Sequence, residues 1–257
     1  MLGAIAGDII GSAHEFSPHK SLDFPLFTEA SRFTDDTVLT VATAFSLLTD
    51  GNYAENYRIF GRLYPLAGYG AGFKNWLSSK HGKPYHSWGN GSAMRVSPVG
   101  FAFDTEEEVL REAEKSAVVT HDHPEGIKGA QAVALGVLMA RQGAEPAAIK
   151  KEITDRFGYD LDRTVQDIRP GYVFDVSCQG SVPEAIICFL EGTDWENAVR
   201  LAVSLGGDAD TQACMAGALA LARFTHVPSE IELTARQMLP DHLREVVEEF
   251  EQKFMTG

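Results

Sequence analysis

The sequence is short of cationic residues and of cysteines, and each shortage excludes a class of protein. There are 22 Lys and Arg residues against 36 Asp and Glu residues, which gives a formal net charge of −14. A field of that sign repels nucleic acid and anionic membranes, so we do not expect nucleic acid as a partner. The three cysteines show no C-x-x-C spacing. Their number and spacing argue against a disulfide framework and indicate a reducing compartment.

Long apolar runs are missing as well. The longest, residues 132–140 and 213–222, reach about half the length that a membrane span requires. The apolar start, MLGAIAGDIIG, lacks a basic n-region and carries Asp8 in its middle, which is not typical of a signal peptide. The sequence therefore predicts a cytoplasmic protein without a membrane partner.

Alternating strand patterns are nearly absent, and helical patterns fill the chain. Apolar residues recur with helical spacing in 36–48, 105–119, 125–143, 181–192, 194–207 and 240–254. Thr105 and Glu108 form a capping-box pattern, and Pro183 is expected in the first turn of its helix. The best strand candidate, 169–178, contains turn residues. Without a repeat or an obvious linker, we expect one all-α domain over residues 1–257, with about a dozen helices.

What the chain does contain is two clusters of acids and threonines, each directly before a helical pattern. These are Thr34, Asp35 and Asp36 in RFTDDTVLT, and Asp208, Asp210 and Thr211 in SLGGDADTQ. Each cluster alone is explained by helix capping. Two clusters of mutually repelling carboxylates are better explained by a shared cation, and their hard oxygen atoms suit Mg²⁺ or Mn²⁺. Small residues after Asp208 predict a central, closely packed helix.

Two glycine-rich stretches have two possible explanations. GYGAGF (68–73) and SWGNGSAMR (87–95) would let backbone N–H groups approach a phosphate, but both would also serve as ordinary turns. Trp88 beside the second stretch could stack on a base or lie at the edge of the core.

Three more polar residues could either belong to a functional site or have a purely structural role. His121 and His123 in THDHPEG could contact a metal or a ligand, although a structural histidine or a helix cap is more common. Glu15 would be solvated surface unless the start of the chain packs beside the acid clusters.

The ordered motifs GDIIGSAHEF, TDDT, GYGAG, GNGSAMR, THDHP and GGDADT together resemble the ADP-ribosylglycohydrolase family across residues 7–211. The resemblance implies a compact orthogonal all-α bundle with two Mg²⁺ or Mn²⁺ ions. It implies as metal ligands Thr34, Asp35, Asp36, Asp208, Asp210 and Thr211. It implies catalytic roles for Glu15 and Asp35. It implies substrate contacts from Gly68, Gly72, Ser87, Trp88, Gly89, Asn90 and His121. Some relatives carry a base-stacking aromatic residue a few positions before Ser87, where this chain reads HGKPYH, which leaves Tyr85 or Trp88 for that contact.

The activity implied by the resemblance is metal-dependent hydrolysis of the glycosidic bond between ADP-ribose and an acceptor. The acceptor would be a modified protein side chain or a small ADP-ribosyl conjugate, and ADP-ribose would be released. Two alternatives stay open. One is a catalytically silent member of the family that binds ADP-ribose or has a structural role, since a fold does not guarantee catalysis. The other is a phosphohydrolase that cleaves the diphosphate and yields AMP.

Overall fold

The computed structural model describes residues 1–49, 51–80 and 82–255 and consists of helices joined by loops. Its helices in chain order are α1 (Leu2–Gly11), α2 (Asp35–Leu48), α3 (Tyr53–Leu63), α4 (Ala71–Ser78), α5 (Gly91–Met94), α6 (Ser97–Ala102), α7 (Glu106–Val118), α8 (Pro124–Arg141), α9 (Pro146–Phe157), α10 (Val165–Ile168), α11 (Cys178–Glu191), α12 (Trp195–Val203), α13 (Ala209–Phe224), α14 (Ser229–Gln237) and α15 (Asp241–Phe254). Within the described residues, extended backbone pairs only as an isolated bridge between Gly89 and Ser177. The all-α prediction is confirmed.

Local capping explains where several helices begin. The Thr105 side chain accepts a hydrogen bond from the Glu108 N–H at 3.3 Å, so α7 starts where the capping-box pattern predicted. The start of α11 was predicted wrongly. Ser177 Oγ accepts from the Gly180 N–H at 3.0 Å, which moves the helix start to Cys178 and places Pro183 inside the helix.

The best strand candidate, residues 169–178, does not form a strand. Residues 173–176 are irregular and lie between a turn and the start of α11. Ser177 is the N-cap of that helix, and its backbone forms the isolated bridge with Gly89.

Helix α13 is the centre of the molecule, as its small residues predicted, and every residue from Ala209 to Ala222 is buried. Helix α1 packs against it through three glycines spaced four residues apart. A Cβ atom on Gly3, Gly7 or Gly11 would lie 2.4, 2.1 or 2.3 Å from a carbonyl oxygen of α13. No side chain fits there, so the two backbones meet directly. This contact brings the last turns of α1 beside the start of α13.

The other helices surround this pair. Helices α8, α11 and α12 pack on α13, while α2 lies against α1, α3 and α15. The starts of α2 and α13 therefore meet near the end of α1, where the two acid clusters lie. None of the described helices is both long and apolar enough to cross a membrane.

Candidate active site

The two acid clusters converge, although they lie more than 170 positions apart in the sequence. Carboxylate oxygens of Asp8, Asp36 and Asp210 lie within 4.8 Å of one another, and so do those of Glu15, Asp208 and Asp210. Asp210 belongs to both groups. Repulsion among these carboxylates is strong at such distances, so the arrangement requires protons or cations.

Asp36, at the start of α2, has the polar surroundings expected of a cation ligand. Its Oδ2 accepts a hydrogen bond from Thr211 Oγ1 at 3.1 Å and lies 3.4 Å from Thr34 Oγ1. Its Oδ1 is buried and has no hydrogen-bond partner. A buried carboxylate oxygen without a partner costs free energy, and a bound cation would remove that cost.

Sequence reasoning missed Asp8, which lies in α1 and is completely buried. It accepts hydrogen bonds from the Thr34 N–H at 2.9 Å, Thr34 Oγ1 at 2.7 Å and the Thr37 N–H at 3.1 Å, as well as from Thr37 Oγ1. The Thr34 hydroxyl proton is thereby directed to Asp8, which leaves its oxygen lone pairs facing away. The one signal in the sequence was an acid inside an otherwise apolar run.

The two clusters differ in whether their residues cap a helix. Thr34 is a true N-cap, because its side chain accepts from the Asp36 N–H at 3.2 Å. Asp208 stands at the N-cap position of α13 and makes no side-chain capping bond. Its Oδ2 instead accepts from Asn90 Nδ2 at 2.7 Å. Capping therefore does not explain Asp208, whose carboxylate is held by a distant loop.

The electrostatics of the cluster reflect a shortage of positive charge. Burial, followed by the charges of neighbouring carboxylates, holds the pKa values of Asp36 and Asp210 well above the usual range. Burial raises the pKa of Asp208 to about 6. Burial and the Asp210 charge raise the pKa of Glu15 to about 7. A site of this kind favours binding of cations.

A cavity of about 380 Å³ opens beside the acids. It is lined by Glu15, Asp35, Asp36, Asp208, Asp210 and Thr211, and by the expected substrate-contact residues Gly68, Gly72, Ser87, Gly89, Asn90 and His121. The volume lies within the range of small-molecule sites. Gly68 has φ +113°, and a Cβ there would lie 3.0 Å from Asp35 Oδ1. Asp35 thus borders the cavity, but it belongs to neither of the two carboxylate groups.

Trp88 lies outside this cavity, in a neighbouring surface pocket with His123, Asp175, Ser177 and Gln179. The Trp88 carbonyl accepts from the Cys178 N–H at 3.0 Å, and the Asn90 N–H donates to the Val176 carbonyl at 2.8 Å. Neighbouring side chains along such extended backbone point in opposite directions, so the Ser87 side chain faces the cavity and that of Trp88 faces away from it.

Tyr85 is the aromatic residue of this region that lines the cavity. It packs over Gly72, where a Cβ would lie 2.7 Å from the Tyr85 ring. The two histidines of THDHPEG also differ. His121 lines the cavity, whereas His123 caps α8 by accepting from the Glu125 N–H at 3.1 Å.

Residues 1–256 match the family described as ADP-ribosylglycohydrolase. The chain belongs to the ADP-ribosylglycohydrolase family. It is accordingly a glycosyl hydrolase of the type that acts on ADP-ribose linkages, and its buried acidic clusters fit the metal binding expected from the motifs.

Curated members of the ADP-ribosylglycohydrolase family resemble the chain over most of its length. It is 28% identical to "ADP-ribosylhydrolase ARH3" of Mus musculus over 308 aligned positions, which cover 87% of this chain and 82% of that protein. The protein of the same name from Homo sapiens is 28% identical, with coverages of 87% and 84%. "Putative ADP-ribosyl glycohydrolase L543" of Acanthamoeba polyphaga mimivirus is 26% identical, with coverages of 85% and 84%.

A solved structure shares the fold. A chain titled "ADP-ribosylglycohydrolase-related protein complex" superimposes with a TM-score of 0.73 at 24% identity, covering 98% of this chain and 95% of that chain. The helical architecture expected from the motif resemblance is therefore confirmed.

Proposed function

We propose that this ADP-ribosylglycohydrolase cleaves the bond between ADP-ribose and an acceptor in a reaction that depends on divalent cations, and that it releases ADP-ribose. The acceptor is a modified protein side chain or a small ADP-ribosyl conjugate. The observation that carries the proposal is the pair of carboxylate groups sharing Asp210 at the wall of a cavity of ligand size. The names of the ARH3 relatives support the reaction class.

The residues present fit two Mg²⁺ or Mn²⁺ ions. The donors are carboxylate and hydroxyl oxygens, which these cations prefer, and the buried Asp36 Oδ1 lacks any other partner. We assign one ion to Asp36 with Thr34 and Thr211, and the other to Asp208, with Asp210 shared. Asp35 borders the same cavity and remains a proposed ligand and catalytic residue. Bound divalent cations supply positive charge for sugar hydroxyls and lower the pKa of a water molecule.

The chain's own side chains then have separate roles. Asn90 fixes Asp208, and Asp8 orients Thr34. Glu15, with its pKa raised to about 7, can hold or release a proton on its carboxyl group near neutral pH. A proton acceptor so close to the other carboxylates suits the step in which water attacks the anomeric carbon. The transition state of that step carries oxocarbenium character.

The glycine-lined part of the cavity would hold the rest of the substrate. Gly68, Gly72 and Gly89 allow backbone to approach a ligand closely, as binding of a diphosphate requires. Contacts to this remote part position the reacting sugar.

We further propose that the chain forms one functional domain. We also propose a cytoplasmic location, on the basis of the three free cysteines.

The proposal is tested by measuring ADP-ribose released from O-acetyl-ADP-ribose and from ADP-ribosylated protein in the presence of Mg²⁺. We expect Asp210→Asn and Asp208→Asn to abolish release while the far-UV circular dichroism stays that of the wild type. Asp241→Asn, at an exposed residue whose carboxylate pairs with Arg244, serves as the matched control.

Each contrary result identifies an alternative. AMP among the products would indicate cleavage of the diphosphate. Binding of ADP-ribose without release from any substrate would indicate a silent binding protein. Full activity after exhaustive chelation would overturn the dependence on metal.

A further inference from the structure

Arg95, the residue that follows α5, is completely buried beside the cavity and has no part in the proposed reaction. Its guanidinium group lies 4.3 Å from the centre of the Tyr57 ring. Its Nη2 donates to the Ser116 carbonyl at 3.1 Å and to Thr120 Oγ1 at 2.9 Å. A buried cation bonded to a hydroxyl and a carbonyl is costly, which suggests that its position serves a purpose.

The next contact in this series is between Thr120 and His121. Thr120 Oγ1 lies 2.7 Å from His121 Nδ1, so one of the two atoms donates to the other. Guanidinium nitrogens only donate, so the Thr120 oxygen must accept from Arg95. Among the described residues, the hydrogen-bond partners of Thr120 Oγ1 are Arg95 Nη2 and His121 Nδ1. Because the guanidinium group cannot accept, the Thr120 hydroxyl proton is left for His121 Nδ1.

We propose that Arg95 and Thr120 are positioning residues that fix His121 as the tautomer protonated on Nε2, so that His121 presents a hydrogen-bond donor to the ligand. Nε2 faces the glycine-containing loop of residues 87–91, which lines the cavity, since it lies 3.1 Å from the position that a Cβ on Gly91 would occupy. The inference rests on the proposed function, in which this loop holds the diphosphate. It assigns the Nε2 proton to a phosphate oxygen and removes His121 from the candidates for general base.

A fixed donor has particular value in this cavity. The cavity is also lined by five carboxylates, from Glu15, Asp35, Asp36, Asp208 and Asp210, which repel an anionic diphosphate unless cations bind to them. A histidine accepting at Nε2 would add to that repulsion. Burial and the nearby Arg95 charge hold the pKa of His121 well below its usual range, so the ring is neutral and its tautomer alone decides whether it donates.

The tautomer can be observed directly, without turnover. In long-range ¹H–¹⁵N spectra of the ligand-free protein, we expect His121 Nε2 to resonate as a protonated nitrogen and Nδ1 as an unprotonated one. The signal is assigned by its absence in His121→Asn.

In Thr120→Val, the hydroxyl is lost and the fixed tautomer should give way to a mixture. Thr120→Ser should restore the wild-type spectrum, and Arg95→Lys should weaken the preference while it keeps the charge. An Nδ1-protonated His121 in the wild type, or an unchanged spectrum in Thr120→Val, would overturn the proposal.

Binding supplies a second readout. By calorimetry, we expect Thr120→Val to bind ADP-ribose roughly tenfold more weakly, and Thr120→Ser to bind like the wild type. Thr234→Val, which removes a hydroxyl bonded to the Glu230 carbonyl on α14, is the matched control. A wild type with the expected tautomer that neither binds nor hydrolyses ADP-ribosyl substrates would overturn the proposed function alone. Equal binding by wild type and Thr120→Val would overturn the positioning role alone.

Discussion

At the scale of single residues, the site depends on one carboxylate that holds two threonines in place. Asp8 is buried, and the groups that hydrogen-bond to it belong to Thr34 and Thr37, in the turn that begins α2. Its hydrogen bonds organise a threonine proposed as a metal ligand. Residues that orient metal ligands in this way also influence metal affinity.

Asp8→Asn should therefore lower the affinity for Mn²⁺ by roughly 10- to 100-fold, because the amide NH₂ would face the donors of Thr34 and Thr37. Isothermal titration of the ligand-free protein with Mn²⁺ measures this directly. Asp241→Asn provides a control at an exposed carboxylate. Unchanged Mn²⁺ affinity in a folded Asp8→Asn protein would show that Asp8 is irrelevant to the metal centre.

At the scale of elements, the contact between α1 and α13 brings Asp8 into the site. Gly7 faces the Ala213 carbonyl at a distance that excludes any Cβ atom. The two helices can approach so closely only because this position has no side chain. Packing and chemistry are thus coupled, since the same helix turn carries Gly7 and Asp8.

Gly7→Ala should force the helices apart and destabilise the protein by about 1–3 kcal/mol. Because the movement also displaces Asp8, Mn²⁺ affinity should fall in the same variant. Urea unfolding and Mn²⁺ titration measure the two effects. Gly136→Ala is the comparison, since its added Cβ would meet only the flexible end of Leu219, at 2.8 Å, and should cost less. Equal stability of Gly7→Ala and wild type would contradict the direct backbone contact.

In a second element, the loop between α1 and α2, one lysine bonds to three distant carbonyl groups. Lys20 Nζ donates to the carbonyls of Arg169 at 2.9 Å and Tyr172 at 2.6 Å, and also to that of Leu205. These bonds connect the loop that carries Glu15 to the segments before α11 and α13.

Lys20→Met removes these bonds and keeps much of the side-chain length. We expect faster amide hydrogen exchange over residues 13–19 and a higher KM, because Glu15 is then held less firmly at the cavity. Hydrogen exchange followed by mass spectrometry measures the first effect. Lys253→Met, on α15, is the control. Exchange identical to that of the wild type would show that the lysine does not restrain the loop.

At the scale of the whole molecule, the net charge of −14 and the buried acid cluster make stability depend on cations and on protons. Without cations, the folded state holds Asp208 and Glu15 at pKa values of about 6 and 7, above their ordinary values of 3.8 and 4.5. The folded chain therefore binds these protons more tightly than the unfolded chain. Their contribution to stability is complete below the ordinary values and is lost as the pH rises through about 6 to 7.

The melting temperature of the chelated protein should accordingly fall between about pH 5 and pH 8, and saturating Mg²⁺ should reduce the fall by replacing the lost protons. Differential scanning calorimetry with and without Mg²⁺ measures both curves. In Asp210→Asn, which has one carboxylate fewer, the chelated protein should show a flatter dependence. A melting temperature of the chelated wild type that rises over this range would contradict the assignment of a cation-dependent cluster.

Much of this protein followed from its sequence, and the exceptions have physical causes. The helical periods, the Thr105 cap and the two acid clusters are local patterns, so they indicated the fold class and the regions that converge. The start of α11 was missed because Ser177 competes with Ser181 as a cap, and sequence alone does not show which hydroxyl reaches a free N–H. Trp88 was grouped with its neighbours because the direction of its side chain depends on pairing with a segment about 90 residues away.

The sequence by itself determined the helices, the family motifs and the residues available for ligation, because these depend on short-range periodicity and on the chemistry of side chains. Only the tertiary structure decided that Asp8 joins the cluster, that Asp210 is common to both carboxylate groups, and that Trp88 lies outside the cavity. These relations depend on distances between helices far apart in the chain. Those distances are set by which helices pack together at glycines and small residues in the core, and a local pattern does not specify the partner helix.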